Sequence, residues 1–238
     1  MAGYIRIRYG QRESIDKEYV MQTWTEKIDL GNGIICYKGV IKKEIDVINK
    51  LEQNLKPVGD KTGYSWLPAY VGYQQLMPEY RDCNDFKFKK IDIEKDKRPV
   101  SLNLQSLWQD VYDAQSPAVE DYAKHYNING LKYWEAFNFI KYGPGQHFME
   151  HHDHGFSYNC TVSLVAYVND DYEGGELYFR LQNLKVKPQA GDLYIFPSNF
   201  MYPHQAMEVH SGTKYSIVTM LDYNEKFHTP QMYVSDSD

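Results

Sequence analysis

The run Glu150-His151-His152-Asp153-His154 concentrates metal-capable side chains in five consecutive positions. On extended backbone, side chains two residues apart share a face. His151 and Asp153 then project together, about 6 to 7 Å apart along the strand, while His152 and His154 point to the other side. A further histidine, His204, follows in FMYPHQAMEVHSG. Two imidazoles and one carboxylate on one face leave three octahedral positions of a divalent iron open, which suits a co-substrate and O2. A lone His-x-Asp equally fits a solvated, charged turn. His147, His152, His154 and His210 are read as surface or packing residues.

Lys214 and Ser216 form a second group, just downstream of His204. Alternation puts Lys214, Ser216 and Val218 on one face of a final strand, and Tyr215, Ile217 and Thr219 on the other. A cation directed into a β core needs an anionic partner, because an unpaired buried ammonium is costly. A dicarboxylate co-substrate would supply one. Tyr167, at the end of the inward set Ser163, Val165 and Tyr167, can offer its phenol to the same carboxylate. The alternative for Lys214 is an edge-strand lysine in water.

The elements that must position these groups lie in the second half. From Lys132 onward, short β-rich runs alternate with turn signals at intervals of about 8 to 12 residues, the pattern of a sandwich or barrel. The runs are YWEAFNFIKY, TVSLVAYV, ELYF, LKVKP, DLYIFP and KYSIVTMLDY. The expected fold is α+β, mainly β: a double-stranded β-helix (jelly-roll) core with N-terminal helices packed on it. In the first half, Ile34 to Tyr37 reads as a short strand. Ile41, Ile45, Val47, Ile48 and Leu51 recur at helical spacing through about Leu55. Leu107, Val111, Val119 and Tyr122 suggest a second helix, which Pro117 must break or restart. Residues 57–100 read as irregular and tyrosine-rich.

Residues 1–238 are read as a single domain: a helical and irregular N-terminal layer with a lid (1–131), the jelly-roll core (132–224) and a tail (225–238). The formal net charge of -6, with both signs mixed along the chain, gives no global footprint for nucleic acid or an anionic membrane. No segment approaches the roughly 20 apolar residues of a membrane span. No signal peptide is apparent, and Cys36, Cys83 and Cys160 stand far apart, so a cytoplasmic location is expected.

The stretch Tyr142-Gly-Pro-Gly145-Gln146-His-Phe148-Met-Glu-His151-His-Asp153 resembles the YxxGQxYxxHxD signature of prolyl 4-hydroxylases. Ala166-Tyr167-Val168-Asn169-Asp170 followed by Gly174-Gly175-Glu176-Leu177-Tyr178-Phe179 resembles the family's YLN-D…GGET-F segment. Pro188 to Phe196 is similar to its P-x-x-G-x-x-x-x-F segment, and His204 with Lys214 matches the distal histidine and its lysine. GVIKKEIDVINKL resembles the family's early helix. Phe148 stands where many members have tyrosine, and Asn159 and Cys160 stand near a family arginine.

This resemblance, to the prolyl 4-hydroxylase family of Fe(II)/2-oxoglutarate dioxygenases, implies that His151, Asp153 and His204 hold Fe(II). It implies that Lys214 pairs with the distal carboxylate of 2-oxoglutarate, helped by Tyr167 and by Tyr142 or Ser216. Ascorbate would be an optional addition. The implied partners are O2 and a proline-containing peptide or protein, and the implied reaction is hydroxylation of a C–H bond. The tyrosine-rich stretch with Tyr64, Trp66, Tyr70, Tyr73 and Tyr80 is either a lid that stacks on proline or ordinary packing. Other readings are an oxygenase acting on a different side chain, a nucleobase or a small metabolite, and a cupin-like metal-binding module without redox chemistry.

Overall fold

The computed structural model describes residues 22–72, 75–155 and 159–223. Its strands in chain order begin with β1 (Glu26–Asp29), β2 (Ile35–Lys38), β3 (Leu67–Pro68), β4 (Arg81–Asp82), β5 (Asn84–Phe88), β6 (Tyr133–Trp134), β7 (Phe137–Tyr142) and β8 (His147–His151). They continue with β9 (Val162–Tyr167), β10 (Glu173–Gly174), β11 (Leu177–Phe179), β12 (Leu184–Val186), β13 (Leu193–Pro197), β14 (His204–Ala206), β15 (Val209–Ser211) and β16 (Lys214–Asp222). The helices are α1 (Val47–Asn54), α2 (Lys90–Ile93) and α3 (Pro99–His125).

Two antiparallel sheets face each other. The larger runs β1-β2-β13-β9-β16-β7-β5-β3, with β6 beside β16, and the smaller runs β12-β11-β14-β8-β4. This is the expected jelly roll. Strand alternation divides the larger sheet cleanly. On β16, Tyr215, Ile217 and Leu221 join a hydrophobic cluster with Leu104, Leu107, Val111 and Val119 of α3 and Leu51 of α1. Lys214, Ser216 and Val218 take the other face, between the sheets. On β9, Val162, Leu164 and Ala166 face the helices, whereas Val165 and Tyr167 pack between the sheets with Phe179 and Phe196. One face of the large sheet therefore carries the helices, and the opposite face bounds the barrel interior.

Three expectations about the first half need correction. The helix expected from Ile41 is a 3-10 turn (Lys43–Ile45) followed by α1, separated by Asp46 in the left-handed region at φ 56°. Val40 and Ile41 instead donate their backbone N–H groups to the Gly191 carbonyl. The expected break at Pro117 does not occur, because α3 is continuous through it. Val111 and Ala114 before the proline and Ala118, Val119 and Tyr122 after it all pack in one cluster. Burying that stripe outweighs the roughly 3 kcal/mol that an interior proline costs a helix. Residues 57–100 are not wholly irregular: β5 pairs along its length with β7, with Phe86 and Phe88 buried and Lys87 exposed between them.

Candidate active site

The site begins with a bulge. In the β8–β14 ladder, His151 lies opposite His204, but Phe148, three residues earlier, lies opposite Ala206, only two residues later. The extra residue changes the facing of β8 and lets Phe148 and His151 stack, with ring centroids 3.6 Å apart and planes at 14°. Before the strand, Gln146 accepts a bond from the Gly143 backbone N–H (2.7 Å) and donates to Asp82 (2.8 Å). The Gly143–Gln146 turn is thereby tied to β4.

His151 ends β8, and Asp153 follows in a bend. His151 Nε2 lies 3.6 Å from Asp153 Oδ1, and His204 Nε2 lies 3.8 Å from Asp153 Oδ2. All three ligand atoms fall within 4.8 Å of one another. Each imidazole is set by a backbone carbonyl: His151 Nδ1 lies 2.8 Å from Met149 O, and His204 Nδ1 lies 3.1 Å from Tyr202 O. A carbonyl only accepts, so each Nδ1 carries the proton and each Nε2 is left with a free lone pair. Asp153 Oδ2 accepts from Ser163 Oγ at 2.5 Å, and Ser163 in turn contacts Ser198 at 2.7 Å. Burial, with His204 beside it, pushes the His151 imidazole down to about 3. It is therefore neutral, as a ligand must be. Phe179 and Phe196 pack on His204, with centroids at 5.8 and 4.9 Å.

Lys214 is also buried between the sheets, with 1% of its surface exposed. Its Nζ donates to the Gly175 carbonyl at 3.1 Å and sits over the Tyr142 ring at 4.4 Å, with the Tyr167 ring at 5.9 Å. Register explains this grouping: Tyr142 lies opposite Lys214, and Tyr167 lies opposite Ser216. Among the described residues no carboxylate pairs with the ammonium, and burial lowers its pKa from 10.5 to about 7. The glycine pair is closely packed, Gly175 against Lys214 itself. A Cβ on Gly174 would lie 2.3 Å from the Glu208 carbonyl, and one on Gly175 2.9 Å from the Tyr172 ring and 3.2 Å from Lys214 Cδ. Both glycines have positive φ, which L side chains rarely adopt.

Two imidazoles with bare Nε2 atoms and one carboxylate fit an Fe(II) ion, and the buried Lys214 ammonium, with no paired carboxylate among the described residues, fits an added anion such as a dicarboxylate. Residues 137–221 match the family described as the 2OG-Fe(II) oxygenase superfamily. Over this segment, the chain is similar to that superfamily. A viral protein bearing the prolyl 4-hydroxylase name, from Acanthamoeba polyphaga mimivirus, is 28% identical over 134 residues, covering 48% of this chain and 55% of its own. A PKHD-type hydroxylase of Prochlorococcus marinus is 28% identical over 126 residues, covering 50% and 53%. The chain thus spans about half the length of these curated relatives. Among solved structures, a Trichoplax adhaerens prolyl hydroxylase in complex with a hypoxia-inducible-factor peptide superposes with a TM-score of 0.60 at 16% identity, covering 82% of this chain and 86% of the other. A viral collagen prolyl hydroxylase from Paramecium Bursaria Chlorella virus-1 gives 0.54 at 18% identity, covering 80% and 96%. At these identities the superpositions bear on the fold.

Of the seven anticipated residues, His151, Asp153 and His204 lie together, Tyr142 and Tyr167 flank Lys214, and Ser216 is buried opposite Tyr167. His152, His154 and His210 are exposed and His147 is half-buried. None of the four belongs to the three-ligand group. The tyrosine-rich stretch divides. Trp66, 4% exposed, and Tyr64 pack in or against the cluster on the helix side, which is the packing reading. Tyr80 reaches the site side, its hydroxyl donating to the Glu150 carbonyl at 2.9 Å. Tyr70 is exposed, and Tyr73 lies outside the described residues, as does the expected tail. Sequence reasoning assigned no role to Ser163 and did not notice Arg81. No described helix is long and apolar enough to cross a membrane.

Proposed function

We propose that this chain is an Fe(II)- and 2-oxoglutarate-dependent dioxygenase that hydroxylates a prolyl residue in a peptide or protein. The observation that carries the reading is Lys214, an ammonium buried between the sheets with no paired carboxylate among the described residues, in a chain that also gathers His151, Asp153 and His204 into one group. Such a charge is tolerated where a ligand completes it. Fe(II) held there would activate O2, the oxidant, with decarboxylation of 2-oxoglutarate supplying two electrons, so that one oxygen atom enters succinate and the other a C–H bond of the substrate.

The chain's own residues bind and orient. Met149 and Tyr202 carbonyls hold the two imidazoles in the tautomer that presents Nε2, and Ser163 fixes one oxygen of Asp153 while the other faces His151. Lys214, with the Tyr142 and Tyr167 phenols nearby, receives the distal carboxylate as a charge-assisted pair. Both phenols stay protonated, since burial raises them well above 10, and so they can donate. The triad side chains are only 15%, 7% and 6% exposed, which limits the water that reaches them. The prolyl assignment is supported by the names of the relatives. The test is succinate formation from 2-oxoglutarate with proline-rich peptides, compared with other peptides, nucleosides and small acids. Turnover that survives in both Asp153→Ala and His204→Ala would sink the reading.

A further inference from the structure

Arg81 lies on β4, the edge strand of the smaller sheet, directly opposite Phe148. Its side chain is only 12% exposed. Nη2 pairs with Asp85 at 3.0 Å, and Nη1 donates to the Tyr70 carbonyl at 2.9 Å. Two anchors fix the plane of the guanidinium, whose carbon sits 4.8 Å from the Phe148 ring centroid. Phe148 then lies flat on the His151 imidazole at 3.6 Å, and Tyr80 meets the edge of Phe148 at 5.8 Å. The result is a stack of guanidinium, phenyl and imidazole ending on one of the three ligand residues.

The two histidines are held differently. A single hydrogen bond at Nδ1 leaves an imidazole free to tilt about that bond. For His204 the tilt is blocked by Phe179 and Phe196, both fully buried in the barrel core. The brace on His151 is the half-buried Phe148 ring, which packs against the cluster of Ile140, Tyr142 and Val209 and lies under the Arg81 guanidinium on the neighbouring edge strand. We propose that Arg81 is a positioning residue for the metal centre, clamping Phe148 against His151 so that Nε2 points at the ion. The inference rests on the reading of His151, Asp153 and His204 as metal ligands. Arg81 touches neither ion nor substrate; it acts through Phe148.

The test is titration of the metal-stripped full chain with Co(II), following the visible d–d absorption, which reports ligand geometry independently of turnover. Arg81→Met is combined with Asp85→Asn, so that no unpaired carboxylate is left buried. This double variant should bind Co(II) about 10- to 100-fold more weakly, the usual cost of losing a group that orients a ligand, with an altered band. Phe148→Leu should reproduce the loss. Phe148→Tyr, which keeps a stacking ring, should retain the wild-type band, as should Asp85→Asn alone. Wild-type affinity and band in the double variant, or in Phe148→Leu, would overturn the inference alone. Failure of the wild-type chain to bind Co(II) would overturn it together with the proposed function. Should the double variant not fold, Phe148→Leu decides.

Discussion

Replacing Lys214 with methionine should make the ligand-free protein more stable while removing its affinity for 2-oxoglutarate. The side chain is 1% exposed and its pKa falls from 10.5 to about 7 through burial. At about 1.36 kcal/mol per pKa unit, that drop corresponds to roughly 5 kcal/mol of cost for keeping the ammonium charged in the folded state. A lysine whose folded pKa lies below its unfolded value binds its proton more readily in the unfolded chain. The cost is therefore present in full below pH 7, and it fades as pH rises toward 10.5. Methionine has similar length and no charge, so Lys214→Met escapes the cost. Its advantage over wild type in urea unfolding should be several kcal/mol at pH 6 and should shrink by about 2–3 kcal/mol by pH 9. With Mn(II) present throughout, saturating 2-oxoglutarate should narrow the gap, stabilising wild type by about 3 kcal/mol at a hundredfold excess over Kd and leaving the variant without that gain. An advantage that is absent at pH 6, or that does not change with pH, would refute the account of Lys214 as an unpaired buried cation.

Gly175→Ala should weaken 2-oxoglutarate binding tenfold or more, a loss of about 1.4 kcal/mol, because its Cβ would press on Tyr172 and on Lys214 Cδ; isothermal titration with unchanged affinity would count against that close packing. Trp66→Ala should cost about 3–5 kcal/mol in stability by opening a core cavity, yet leave the KM for a peptide unchanged. A selective rise in that KM would restore Trp66 to a lid. Pro117→Ala should raise the melting temperature, with a gain of about 1 kcal/mol or more from a restored helical hydrogen bond; a lowered melting temperature would show that the proline ring packs better than the bond would.

The His-Asp-His grouping and the burial of Lys214 were legible because their signals are local. A period of two assigns faces to His151 and Asp153, and to Lys214 and Ser216, without reference to the rest of the chain. The order of turns and β-runs from Lys132 to Tyr223 conveys the jelly roll for the same reason. What was missed depends on distant partners. β5 carries a readable alternation in Phe86-Lys87-Phe88, but the surrounding prolines masked it. Arg81 gives no sign of its place, since its partner Phe148 reaches it only through the β4–β8 pairing and the bulge. Pro117 misled because the packing of Val111 and Val119 into one cluster is a tertiary fact that helix propensity does not contain.

β16 carries alternating residues for two purposes, with Tyr215, Ile217 and Leu221 packing under the helices and Lys214 and Ser216 turned toward the site. A single inserted or deleted residue within it would exchange those sets, exposing the apolar row and turning the lysine outward. Loss of activity by such a slip is thus inseparable from loss of solubility, and an inactive but well-folded protein cannot arise that way. Length variation among descendants of this chain should accordingly collect in the turns at 143–146 and 199–202, while β16 diverges by substitution alone.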